Sequence, residues 1–112
     1  MKQSGPAAEA AAALFLQQQG LRIVERNYRC RFGEIDLIAR DGNTLVFVEV
    51  KARASGDFGG ARYSITGAKQ RKLWTTAQHY LATLGSEPPC RFDAVLFEAS
   101  DAPSWLKNIM EN

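Results

Sequence analysis

Residues 33–51 read GEIDLIARDGNTLVFVEVK, and four of them, Glu34, Asp36, Glu49 and Lys51, are charged side chains set among strand-forming residues. Charged groups are seldom buried in strands unless they are paired or hold a cation. Carboxylates gathered on one strand face repel, and one of them takes up a proton. A divalent cation removes that conflict, and an all-oxygen donor set favours Mg²⁺ or Mn²⁺ over zinc. Lys51 follows Glu49 by two residues and so shares its face, within reach of a phosphate or water held at such a metal. The plainer alternative is an exposed face laced with salt bridges. It accounts for one or two charges, but less well for their sharing a face with Leu45 and Phe47.

The element that must position these charges is a hairpin. Asp41-Gly42 is a strong two-residue turn signal between alternating runs. With those two residues at the turn centre, Glu34 faces Glu49 and Asp36 faces Phe47. Asp36 and Glu49 are then diagonal neighbours with α-carbons roughly 7–8 Å apart, close enough to close on one cation. One face carries Glu34, Asp36, Ile38, Leu45, Phe47, Glu49 and Lys51. The other carries Ile35, Leu37, Ala39, Val46, Val48 and Val50, a uniformly apolar set that must be core. A three-residue loop would turn Glu49 to the face opposite Asp36.

Around the hairpin, Pro6 and Gly20 bracket a helix over 6–19 with an apolar stripe through Ala8, Ala12, Phe15 and Leu16. LRIVERNYR (21–29) reads as a strand. RASGDFGGARYSI (53–65) is too glycine-rich for regular structure, and a loop of that length is usually functional or mobile. Thr66 can cap a second helix that Gly85 stops, with Leu73, Ala77, Tyr80, Leu81 and Leu84 on its buried stripe. SEPP (86–89) is a turn, RFDAVLFEA (91–99) a strand, and 104–110 either a short strand or a helical turn. The order helix, three strands, helix, strand is α+β or mixed α/β.

At 112 residues the chain suits one domain spanning 1–112. A hydrophobic fraction of 46% and a charged fraction of 23% are those of an ordinary soluble globular protein. The longest apolar run, Ala10 to Leu16, is too short for a membrane span. Glu9 and the QQQG that follows Leu16 also argue against a signal peptide, so a cytoplasmic protein is expected. Cys30, Cys90 and the lone His79 are too few for a zinc framework, and the cysteines are expected as reduced thiols. The net charge of +2 says little by itself, but basic residues cluster in 22–31, 51–72 and at 91.

Asp36 followed by Glu49-Val50-Lys51 at the end of an apolar strand resembles the Asp…Glu-x-Lys motif of the PD-(D/E)xK nuclease superfamily, and the αβββαβ order agrees. More closely, RNYRCRFGEIDLIARDG, TLVFVEVKAR, KQRKL and CRFD resemble the bacterial YraN family of endonuclease-like proteins, which are related to archaeal Holliday junction resolvases. The resemblance covers nearly the whole chain and is most specific from Arg26 to Arg53. It implies a restriction-endonuclease-like core, a central mixed sheet flanked by helices. It also implies a phosphodiesterase site, with Asp36 and Glu49 as ligands of Mg²⁺ or Mn²⁺ and Lys51 as the catalytic lysine. Glu34 is a further candidate ligand. Resolvase-like relatives add a glutamate on the first helix, which Glu9 matches; a solvated acid favoured by the helix dipole is the plainer reading of Glu9. Gln70 is the candidate for a glutamine that some superfamily members carry on the second helix. Ile35 stands where the superfamily's name has proline, at a position that varies.

The reaction so implied is hydrolysis of a nucleic-acid phosphodiester, with DNA the expected partner and no membrane. Arg53, Arg62, Tyr63, Lys69, Arg71 and Lys72 would grip the backbone, and phosphate contacts of that kind dominate non-specific affinity. No base-reading element is visible, so recognition of shape or of a branched structure is expected. A homodimer is compatible with this reading. The competing readings are a nucleic-acid-binding module that uses the nuclease fold without cutting, and an interaction protein whose acidic face merely binds metal.

Overall fold

A computed structural model describes residues 5–53, 65–98 and 102–110. The first helix, α1 (Pro6–Gln18), starts on Pro6, whose fixed φ suits a first turn. It ends in a Schellman arrangement: Gly20 has φ +99°, its N–H donates to Gln17, and the Leu21 N–H donates back to Leu16 at 3.0 Å. The strands β1 (Arg22–Cys30), β2 (Gly33–Asp41) and β3 (Thr44–Arg53) follow, then α2 (Gly67–Ala82), β4 (Cys90–Glu98) and β5 (Ser104–Leu106). Thr66 caps α2 by accepting the Lys69 N–H at 3.2 Å.

The strands lie in one sheet in the order β1-β2-β3-β4-β5. β1–β2, β2–β3 and β4–β5 are antiparallel, while β3–β4 is parallel. A parallel pair needs a crossover, and α2 lies on it. Each face of the sheet has its own core. Ala12, Ala13 and Leu16 of α1 pack on Leu37, Ala39, Val46, Val48, Val50 and Val95. Leu73, Ala77 and Tyr80 of α2 pack on Ile38, Leu45, Phe47 and Phe92. The two sets alternate along β2 and β3, so the helices cover opposite faces. This is why Leu45 to Val50 is buried without a break: a strand covered on both sides reads as a continuous apolar run. The mixed α/β sheet flanked by helices is the fold class expected from the sequence.

Two details of the hairpin differ from expectation. Asp41 pairs with Thr44 and Leu37 with Val48, so the turn centre is Gly42-Asn43 rather than Asp41-Gly42. Gly42 has φ +63°, and glycine at the first central position is what a type II′ turn demands. The pairing thereby moves by two residues, an even number, and Asp36 and Glu49 still share a face. Secondly, Ile35 belongs to the core under α2, together with Ile38. Strict alternation would put it with Leu37 on the other side; it is interrupted at Asp36, where the β2–β3 ladder ends.

The segment 104–110, undecided from sequence, supplies the three-residue β5. The glycine-rich stretch, Arg62 and Tyr63 fall in 54–64, outside the described residues, and of Arg53 only the backbone is described. Cys30 and Cys90 are free thiols, as expected. Among the described residues no helix is long and apolar enough to cross a membrane.

Candidate active site

The last ladder pair of the hairpin toward its open end is Leu37–Val48. Asp36 and Glu49 are the next residues beyond that pair, one on each strand, and both line one cavity. There β2 leaves β3, and the Asp36 side chain takes over the ladder's role: its Oδ2 accepts the Val50 N–H at 2.8 Å. The carboxylate is thus fixed by the backbone of the strand that carries Glu49 and Lys51. α1 covers the opposite face, yet its first turn brings Glu9 close enough for its charge to bear on Asp36. Glu9 is half-buried rather than fully solvated.

Glu49 is buried, with its side chain 10% exposed, and faces two ammonium groups. Lys51 Nζ lies at 3.5 Å, and Lys69 Nζ, reaching down from the first turn of α2, is in closer contact. A cavity of about 760 Å³ opens between the end of the β2–β3 ladder and α2, lined among others by Asp36, Glu49, Lys51, Lys69, Lys72 and Thr76. Gly33 forms part of its wall because no side chain fits there. It has φ +153°, and a Cβ would stand 2.9 Å from Thr76 Oγ1.

Burial pushes the Asp36 carboxyl up to about 6, and the charges of Glu9 and Glu49 push the same way, against the Val50 hydrogen bond. Burial also lowers Lys51, although Glu49 opposes this. Burial pulls on Lys69 too, but there the bond to Glu49 prevails and holds the ammonium above its ordinary value. Buried, mutually interacting carboxylates and lysines in a cavity are the marks of a candidate functional site. Its oxygen-only donors, Asp36 and Glu49 backed by Glu9, fit a hard divalent cation. As they stand, no three acidic, histidine or cysteine side chains among the described residues are gathered closely enough to hold a metal by themselves. Glu49 is turned to its lysines instead.

Asp36 makes a stability prediction. Its folded value of about 6 exceeds the ordinary 3.8, so between these pH values the folded chain keeps a proton that the unfolded chain has lost. The stability linked to that proton is fully present below about 4 and is lost as pH rises through about 6, an effect of order 2–3 kcal/mol. Asp36→Asn keeps an oxygen for the Val50 N–H and removes the charge. In metal-free buffer its stability advantage over the wild type is expected to grow from pH 4 to pH 6 and then level off. Urea unfolding of both proteins across pH 4–8 checks this; an advantage independent of pH would contradict it.

Three expected site residues are placed differently. Glu34 lines the same cavity as Asp36 and Glu49 but is 59% exposed, and its Oε1 pairs with Arg29 Nε at 3.2 Å. The Arg29–Glu34 pair closes the β1–β2 hairpin beyond the point where β2 leaves β3. Gln70 points away from the site: its Nε2 donates to the Ile65 carbonyl at 3.2 Å, and it lines a second cavity with Trp74 and Phe92. One position earlier on α2, Lys69 takes the inward place; sequence reasoning had assigned it to backbone grip. The signal was the Thr66 cap, which sets Lys69 in the first turn at the third position after the cap. Arg71 and Lys72 are exposed, with Lys72 on the cavity wall.

A mixed five-stranded sheet with a helix on each face, and two carboxylates and a lysine where its hairpin opens, defines a protein of the resolvase-like nuclease fold. The solved structure of Hjc from Archaeoglobus fulgidus, a Holliday junction resolvase, superposes with a TM-score of 0.60 at 19% identity, over 92% of this chain and 76% of that one. At that identity the likeness shows the fold. The chain belongs to UPF0102, described as an uncharacterised protein family, whose model matches residues 8–97. A UPF0102 protein of Nitrosomonas eutropha is 54% identical over 110 residues, 98% of this chain and 95% of that one. Another, from Psychromonas ingrahamii, is 54% identical over 108 residues, 96% of this chain and 88% of that one. This is the YraN family that the run from Arg26 to Arg53 resembles.

Proposed function

We propose that the protein is a metal-dependent endodeoxyribonuclease that hydrolyses phosphodiester bonds of branched or junction DNA. The observation that carries the reading is the convergence of Asp36, Glu49 and Lys51 at the open end of the β2–β3 ladder, in a cavity walled by lysines. Asp36 and Glu49 would hold Mg²⁺ or Mn²⁺, and such an ion, when bound, polarises a phosphate oxygen and lowers the pKa of a coordinated water. The Val50 N–H keeps the Asp36 carboxylate aimed, and Glu9 supports it from α1. Lys51 orients the attacking water and offsets charge that develops on the phosphorane-like transition state. Arg71 and Lys72 hold flanking phosphates, joined by Arg53, Arg62 and Tyr63 from the end of β3 and the segment that follows. A homodimer would give two such sites to a two-fold branched substrate. The free thiols Cys30 and Cys90 suit work in the cytoplasm.

A second reading, a module that binds nucleic acid without cutting, is favoured by one observation: Glu49 is already charge-compensated by Lys51 and Lys69. Purified protein incubated with Mg²⁺ or Mn²⁺ and duplex, flap or four-way-junction DNA separates the two. Strand cleavage supports the nuclease. Salt-sensitive binding without cleavage supports the module.

The basic residues of α2 carry their own expectation. Replacing Arg71 and Lys72 together with alanine should weaken DNA binding and lower the slope of log affinity against log salt by roughly one to two. Fluorescence anisotropy of labelled junction DNA over a salt series measures it. An unchanged slope would remove these two residues from the interface.

A further inference from the structure

Asp36 and Glu49 line one cavity at the open end of the hairpin, and Lys69 enters it from α2. Its ammonium contacts Glu49 and feels the Asp36 charge. It approaches from the other layer of the fold, on an α2 first turn that the Thr66 cap holds in place. Lys51 is already beside Glu49 on the same strand. The ammonium of Lys69 therefore holds a Glu49 oxygen, Oε2, that a cation bound by this carboxylate would need.

We propose that Lys69 is a cation gate and phosphate-positioning residue. Its ammonium holds Glu49 while the divalent site is empty, and it is displaced when the cation enters. The inference rests on the nuclease reading of this site and adds a regulatory step to it. An ammonium and a divalent cation cannot both sit on Glu49 Oε2 without strong repulsion, so ion pair and metal exclude each other there. Lys69 remains tethered above the cavity when it is released. With a side chain already 39% exposed, it swings toward solvent, where a substrate phosphate would lie. Free-protein affinity for the cation is held down by the competing lysine, and substrate phosphate, by engaging the released ammonium, favours the loaded state. Linkage makes this reciprocal: metal tightens phosphate binding and phosphate tightens metal binding.

The test uses the full chain and Mn²⁺. Calorimetry compares wild type, Asp36→Asn and Lys69→Met, the last keeping an apolar stem of similar length; circular dichroism verifies that each is folded. Lysine acylation read by mass spectrometry follows Lys69 with and without saturating Mn²⁺, with exposed Lys107 as internal reference. The expected results are a roughly tenfold tighter Mn²⁺ affinity in Lys69→Met and a several-fold rise in Lys69 labelling when Mn²⁺ is added to the wild type. If Mn²⁺ binds in an Asp36-dependent manner but Lys69→Met is unchanged, or Lys69 labelling stays constant or falls, the gate is overturned and the metal site stands. If the wild type binds no Mn²⁺ with or without junction DNA, both the gate and the metal-dependent reading are overturned.

Discussion

Lys51→Ala is expected to lose strand cleavage by at least about 10²–10³-fold while its DNA affinity stays within a few-fold of wild type. The reason is the placement of the ammonium. Lys51 lies beside Glu49 and lines the cavity, where it would meet the reacting phosphate group in the proposed reaction. It does not lie with Arg71 and Lys72 on exposed α2, where the proposal has ground-state phosphates held. A group that acts mainly on the transition state lowers the chemical rate constant and spares binding. Single-turnover cleavage beside a binding curve separates the two terms. Cleavage at the wild-type rate would remove Lys51 from the mechanism even with the fold intact.

Asp93→Asn is expected to cost about 3–5 kcal/mol of stability, a large part of what a domain of this size has. Asp93 is fully buried on β4, and both its oxygens accept hydrogen bonds. Oδ1 takes the Asn108 N–H at 3.1 Å, Oδ2 takes Trp105 Nε1 at 2.9 Å, and Arg91 Nε lies within 3.2 Å of both. Asparagine offers one oxygen in place of two, so its amide must face a donor with a donor. Arg91 keeps Asp41 at 3.0 Å but loses its buried partner. The same change loosens the segment that carries β5, because the Trp105 and Asn108 bonds to Asp93 are among its anchors to β4, beside the β4–β5 ladder and the Ile109 N–H bond to Phe92. Denaturant unfolding should show a lower midpoint with an unchanged slope; a variant within 1 kcal/mol of wild type would show that the network contributes little.

How far such features can be read from sequence depends on whether they are periodic. Pro6 and Gly20 mark α1 because local backbone chemistry decides helix ends. The alternation in β2 and β3 puts Asp36, Glu49 and Lys51 on one face, and that placement survives a wrong turn centre because the pairing moved by an even number of residues. The register itself was not legible: Asp-Gly and Gly-Asn are both good turn pairs, and strand packing chooses between them. Ile35 broke the alternation at the point where β2 parts from β3, a tertiary event with no local signature. Asp93 looked like one more alternating polar residue in RFDAVLFEA, and its burial is explained only by Arg91, Trp105 and Asn108 closing around it. Three residues of β5 are too few to show a period. On α2, Gln70 and Lys69 are adjacent, and which of them turns inward depends on how the helix sits over the sheet.

Single-turnover cleavage of four-way-junction DNA in Mn²⁺, by wild type and by Asp36→Asn side by side, tests the central claim most directly. Asp36 and Glu49 are held to make a cation site that cuts a phosphodiester. Asp36→Asn keeps the side-chain shape and the Val50 hydrogen bond and removes only the charge a cation needs. The expected result is cleavage by the wild type and none by the variant, at concentrations where both are bound to the junction. Cleavage by Asp36→Asn at the wild-type rate, or no cleavage by a wild type that binds the junction, would contradict the account.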